Sequence, residues 1–144
     1  MGGATAPTPA ASLRLALTVP ADAAHIGTIR SFASVVARHV ALDEERSDDL
    51  KLAVSEGCAD PMDAGVAGPI EVVITLEPDC LAVEIRSEQP VPAEPDPDNA
   101  EGLEPVRIDR LQLVRALFPD AQSTSSGEQR IVRFSTRSPG RDRV

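Results

Sequence analysis

Two carboxylates stand at a chemically useful spacing in residues 50–60, which read Leu-Lys-Leu-Ala-Val-Ser-Glu-Gly-Cys-Ala-Asp. The apolar residues recur at helical spacing, which predicts a helix with Glu56 and Asp60 on one face, one turn apart. A carboxylate is a good ligand for Mg²⁺, and a glutamate can also accept a proton as a general base. For a lone glutamate, however, a solvated side chain on a helix surface is the more common interpretation.

The elements that must position this helix follow from hydrophobic periodicity and turn residues. Strands are predicted over residues 13–19, 70–76, 81–86, 122–125 and 129–136, and the strands at 70–76 and 81–86 form a hairpin. Helices are predicted from Asp22 to Val40, from about Leu42 to near Pro61, and over residues 108–118. This order predicts an α+β two-layer sandwich with a mixed, mainly antiparallel sheet covered by helices on one face.

The predicted domain occupies residues 13–137. Residues 1–12 have the composition of a disordered leader, and residues 138–144 form a basic tail that we expect to be flexible. Residues 88–105 hold five prolines and six acidic residues, so a loop or disordered lid is predicted there.

The stretch from Leu50 to Asp60 resembles the N-box of the histidine-kinase-like (GHKL, or Bergerat-fold) ATPases. It is most similar to the corresponding helix of the anti-sigma-factor serine kinases (RsbW-like proteins), and the resemblance covers about residues 13–137. It implies the GHKL fold, a site for ATP and Mg²⁺, Glu56 as the general base and Asp60 at the position of the metal-binding residue.

Several positions depart from the family pattern. The family has Asn where this chain has Asp60, which adds a second negative charge near the place of the triphosphate. Pro61 follows at once, lacks a backbone donor and is expected to stop or kink the helix.

The glycine-rich boxes are also degenerate. The resemblance places Ser87 or Glu88 near the position of the adenine-recognising Asp, and Gly102 is the one glycine of the second box. No basic residue lies between Arg86 and Arg107, whereas six acidic residues do, so this segment should repel ATP.

Charge and composition limit the partners. The net charge of −9 argues against nucleic acid or an anionic membrane, and no apolar run is long enough to span a bilayer. Cys58 and Cys80 lack metal-site or redox-motif spacing, which favours two reduced thiols in a cytoplasmic protein.

The resemblance and these departures predict a regulatory protein-interaction module that binds a sigma factor or its antagonist, forms a homodimer and needs no cofactor. The alternative is an active serine/threonine kinase that uses MgATP, with Asp60 on the metal. The candidate binding surface is the first helix and the strand before it. Arg30 and Arg38 on that helix could meet an acidic partner, although simple solvation is the plainer expectation.

Overall fold

The computed structural model describes residues 12–89 and 109–138. The strands are β1 (Leu13–Val19), β2 (Ile70–Leu76), β3 (Cys80–Glu88), β4 (Gln122–Ser126) and β5 (Gln129–Arg137). The helices are α1 (Ile26–His39), preceded by a 3₁₀ turn at Ala23–His25, α2 (Glu44–Asp63) and α3 (Arg110–Leu117). The predicted leader (residues 1–12), acidic lid (residues 88–105) and basic tail (residues 138–144) lie outside the described residues, except for residues 12, 88, 89 and 138. Of these, Glu88 belongs to β3 and not to a loop.

The five strands form one sheet in the order β1-β2-β3-β5-β4. All four strand pairings among the described residues are antiparallel. The predicted α+β two-layer architecture is therefore confirmed, and the mainly antiparallel sheet is antiparallel throughout this part of the chain.

The core lies between the helices and one face of the sheet. Alternate residues of the central strands point to it, as in Leu81, Val83 and Ile85 of β3, which are all at most 1% exposed. The rings of Phe118 and Phe134 add a tilted aromatic contact with centroids 4.7 Å apart. The core is otherwise mainly aliphatic, as the scarcity of aromatic residues requires.

The opposite face of the sheet carries charges. Arg86 bridges Glu71 and Glu84 at 3.6 and 2.8 Å, and Arg133 binds the same Glu84 at 2.9 Å. Glu71 and Arg86 are direct cross-strand neighbours, as are Glu84 and Arg133. Opposite charges in such positions stabilise the pairing of strands.

The second helix ends at Asp63, near Pro61 as predicted, but Pro61 itself does not stop it. Pro61 is buried inside α2, and the helix continues for two residues beyond it, to Asp63. A Schellman motif terminates α2. In it, Gly65 has φ +74° and the amide of Val66 donates to the carbonyl of Pro61.

The first helix also ends with a Schellman motif, but its left-handed residue is not glycine. The amide of Leu42 donates to the carbonyl of Ala37, and the amide of Ala41 donates to that of Arg38. Ala41 consequently has φ +56°, in the left-handed region that a Cβ atom disfavours.

Candidate functional site

The helix that carries the candidate carboxylates is fixed at both ends and packed closely against the sheet. The Asp43 carboxylate caps its N-terminus by accepting a hydrogen bond from the amide of Arg46 at 2.7 Å. Near its middle, a Cβ atom on Gly57 would lie 2.4 Å from Cδ1 of Ile85 on β3. Glycine at this position therefore lets α2 approach the sheet more closely than alanine would.

The carboxylate of Glu56 is held by an arginine from another helix. Arg110, the first residue of α3, places Nη1 2.5 Å from Oε2 of Glu56. The same guanidinium reaches Oδ2 of Asp63 through Nε at 2.9 Å and Nη2 at 2.7 Å. One arginine thus joins two carboxylates of α2 to the beginning of α3.

Asp60 is paired in the same way, from the sheet. Arg130 of β5 places Nη1 2.5 Å from Oδ2 of Asp60, and its Nε donates to Oγ of Ser123 on β4 at 3.2 Å. The Arg130 side chain is only 12% exposed and that of Asp60 is 29% exposed. This ion pair therefore lies mostly within the layer between α2 and the sheet.

The position expected near adenine recognition adjoins this pair. Ser87 is 6% exposed and lies directly opposite Arg130 in the pairing of β3 with β5. β3 was predicted to end at Arg86 but continues to Glu88, because Ser87 and Glu88 still pair with β5. Ser87 is thus a strand residue, and its cross-strand neighbour Arg130 is the residue that binds Asp60. Gly102 lies outside the described residues.

The negative charges of the site are largely neutralised by arginines of the same chain. Glu56, Asp60 and Asp63 supply three negative charges, while Arg110 and Arg130 supply two positive ones. The hydrogen bond that Arg110 donates to Glu56 raises the pKa of its guanidinium against the opposing effect of burial, so this cation is permanent.

The carboxylates that the family resemblance links to MgATP are both engaged within the chain. Both carboxylates implied for catalysis and metal binding already bind arginines, and one of these arginines, Arg130, lies opposite Ser87 in the strand pairing. Within residues 12–89 and 109–138, no three His, Cys, Asp or Glu side chains are grouped to hold a metal ion.

One of the two arginines on the candidate binding surface of α1 makes a hydrogen bond within the protein. Arg30 is exposed, yet its Nε donates to Oγ of the buried Ser55 at 3.2 Å. Ser55 in turn donates to the carbonyl of Lys51 at 2.6 Å. Arg38 is exposed at the other end of α1.

Sequence reasoning missed Arg110 and Arg130, although one signal for Arg130 was present. Arg130, Val132 and Phe134 alternate along β5, so the arginine occupies an inward-facing position beside two buried apolar residues. A cation placed there needs a carboxylate from the layer above it. No comparable periodicity marks Arg110, which is the first residue of a short helix.

Comparisons with known proteins agree with this architecture. Residues 19–136 match the profile of a family described as the histidine kinase-like ATPase domain. Among solved structures, the RsbU and RsbW domains of Rv1364c from Mycobacterium tuberculosis superpose with a TM-score of 0.67 at 18% identity, over 96% of this chain and 36% of that one. At this identity the similarity is one of fold, and no curated protein gives a significant match. Because the family profile spans most of its length, the chain belongs to the histidine kinase-like ATPase domain family.

Proposed function

We propose that the chain is a regulatory protein-interaction module that resembles an anti-sigma factor. It binds a sigma factor, or the antagonist of one, in bacterial partner-switching and does so without ATP-dependent kinase activity. Family membership and the fold similarity to a protein with an RsbW domain support this assignment.

One observation carries the non-catalytic part of the proposal. Glu56 and Asp60, the two carboxylates that ATP chemistry would need, are each bound to an arginine of the same chain. A carboxylate oxygen that already binds a guanidinium can reach a substrate hydroxyl or a metal ion only after that contact is broken. A protein-binding surface on the helices or the sheet does not require either group.

Direct titration with purified partners tests the binding function. Sigma factors and antagonist proteins from the organism that encodes the chain are titrated one at a time, and saturable 1:1 binding by a member of either class is expected. Arg38→Glu on α1 tests the candidate surface and should weaken that binding at least tenfold if the partner surface is acidic. Arg115→Glu, which changes an exposed arginine on α3, is the matched control. Absence of binding by both classes would overturn the proposal.

The alternative, an active serine/threonine kinase, is supported by the resemblance of residues 50–58 to the family's helix, which implies Glu56 as the general base. Calorimetric titration of MgATP into the protein, with ADP as a control, separates the two functions. We expect no binding at millimolar nucleotide, whereas micromolar binding would establish the kinase alternative. The Asp60→Asn variant should remain equally inactive, because the glycine boxes are still missing and Arg130 is still in place.

The remaining parts of the proposal concern assembly and location. We infer a homodimer and a cytoplasmic protein from the family resemblance, and light scattering after gel filtration tests the first. No helix within residues 12–89 and 109–138 is long and apolar enough to cross a membrane.

A further inference from the structure

We infer that Arg130 is a built-in occupant of the site, a cation that fills the space between α2 and the sheet where a ligand would otherwise enter. The guanidinium binds Asp60 of α2 and Ser123 of β4, and Arg130 lies opposite the buried Ser87 in the pairing of β5 with β3. The inference rests on the proposed function, in which this site binds no nucleotide. It names the group that would exclude a nucleotide.

The position of Arg130 in its strand aims the side chain inward. Val132 and Phe134, two and four residues further along β5, are both 3% exposed and belong to the core. Alternate residues of a strand point to the same face, so Arg130 extends into the same layer from the end of the row. It is the charged end of an otherwise apolar stripe.

The contacts of Arg130 fix the guanidinium at two points. Nη1 binds the Asp60 carboxylate at 2.5 Å, and Nε binds the Ser123 hydroxyl at 3.2 Å. With 12% of the side chain exposed, water cannot replace both contacts without movement of α2 or of the sheet. Any group that enters must first separate a mostly buried ion pair and leave both charges without their partners.

The surroundings of the guanidinium define what the space accepts. A carboxylate on one side and a hydroxyl acceptor on another suit a planar cation with several N–H donors. If the Arg130 side chain is removed, the space should therefore bind a small guanidinium ion from solution. A neutral base or an anion would face the unpaired charge of Asp60.

The first test uses the unmodified protein. In ¹⁵N spectra of arginine side chains, the Nε–H of Arg130 should exchange with solvent at least about tenfold more slowly than that of Arg133. Arg133 is a matched reference, because it lies on the same strand and pairs with Glu84 at 2.9 Å, but on the opposite face and 56% exposed. Equal exchange rates for the two groups would overturn the inference.

The second test restores the missing group. Methylguanidinium chloride is titrated into Arg130→Ala and thermal unfolding is followed, with sodium chloride at equal ionic strength as the blank. At ten times its dissociation constant, the ion should raise the ratio of folded to unfolded protein about tenfold. The wild type and Arg133→Ala should show no saturable response, and Arg130→Ala/Asp60→Asn should lose the response.

If Arg130→Ala does not fold, Arg130→Lys replaces it, since it keeps the charge but not the planar fork. In that variant the side-chain amine should be exchange-protected and methylguanidinium should not bind. A folded Arg130→Ala protein without a saturable response would contradict the inference.

The outcomes separate this inference from the proposed function. If the wild-type protein binds MgATP and the Arg130 Nε–H then exchanges faster with solvent, the non-catalytic function is overturned. Arg130 would still be an occupant, but a displaceable one. Protein that binds no nucleotide while Arg130 exchanges freely would overturn the occupant and leave the function unchanged.

Discussion

Arg110 at the first residue of α3 and Glu56 in α2 form a 2.5 Å ion pair that joins two helices 54 positions apart in the chain. The Glu56 side chain is 19% exposed and that of Arg110 is 34% exposed, so the pair is partly shielded from water. The residue that the family resemblance assigns to catalysis is thus used here to hold the beginning of α3 against α2.

Glu56→Ala should lower the free energy of unfolding by about 1 kcal/mol, because Arg110 keeps Asp63 as a partner. Arg110→Ala should cost more, about 1–2 kcal/mol, because it leaves Glu56 without its cation. The double variant should cost less than the sum, and urea unfolding measures all three.

The exposed Glu45 on the same helix supplies a control, for which a loss of only a few tenths of a kcal/mol is expected. Glu56→Ala should also leave partner binding intact. If binding disappears while the circular dichroism spectrum is unchanged, the old site still contributes to recognition.

Gly57→Ala should destabilise the protein although alanine favours helices. The new Cβ would lie 2.4 Å from Cδ1 of Ile85, which is 1% exposed, and overpacking of about 1–3 kcal/mol outweighs a helix gain of about 1 kcal/mol. Adding Ile85→Val removes Cδ1 and should recover most of the loss, so the two changes should be strongly non-additive in urea unfolding.

Gly27→Ala is the control for the helix gain alone. Gly27 lies in α1, and a Cβ there meets nothing within 4 Å. A stabilisation of up to about 1 kcal/mol is expected.

Additive effects of Gly57→Ala and Ile85→Val on the free energy of unfolding would show that α2 does not approach β3 at Gly57.

Ala41→Gly should stabilise the protein by about 0.5–1 kcal/mol, because it relieves a left-handed residue at the end of α1. Gly65→Ala makes the reverse change at φ +74°, where a Cβ meets no atom within 4 Å, and should destabilise by about 1 kcal/mol. Thermal unfolding of the two variants compares them directly. A lower melting temperature for Ala41→Gly would mean that this helix end differs from the structure.

The charged face of the sheet makes stability depend on pH. Burial raises the pKa of Glu84, but the hydrogen bond from Arg86 and the charges of Arg133 and Arg86 outweigh it, so the pKa lies below its ordinary value of 4.5. A depressed carboxyl pKa gives stability that is complete above pH 4.5 and is lost as the pH falls through the folded-state pKa.

Urea unfolding between pH 3 and pH 6 should therefore show a shallower acid decline in Glu84→Gln than in the wild type. Glu77→Gln, at an exposed turn outside this cluster, should leave the slope unchanged. Identical slopes in the wild type and Glu84→Gln would exclude a role for Glu84 in acid unfolding.

Cys58 should report opening of the core. Burial raises the pKa of its thiol to about 12 from the ordinary 9.0. At pH 8 its thiolate fraction is then about 10³-fold below that of a free thiol, and access is blocked as well. Alkylation followed by mass spectrometry should modify the partly buried Cys80 first. Modification of Cys58 should require denaturant, and rapid modification in native buffer would place it outside the core.

Periodicity sufficed for most of the fold. Alternating apolar residues placed β1, β2 and β5 almost at their observed ends, and the stripe from Ile26 to Val40 located α1. These signals are local, and each reflects which side of one element faces the core.

The errors arose where a tertiary contact determined the result. Pro61 lies inside α2, which continues to Asp63, and β3 extends to Glu88 because β5 supplies backbone partners. The spacing of Glu56 and Asp60 on one helix face was predictable from their separation alone. Their counter-ions were not, because Arg110 and Arg130 come from elements 54 and 70 positions away.

The two internal arginines also bear on how the folded state depends on its surroundings. A domain whose carboxylates bind a metal ion and a nucleotide becomes more stable as the concentration of those ligands rises. Here the positive charge is part of the chain, and it is present whenever α2, α3 and β5 are in place. Under the proposed function, the amount of folded protein in a cell should therefore not follow the level of ATP, and the protein would keep its capacity to bind a partner in starved and growing cells alike.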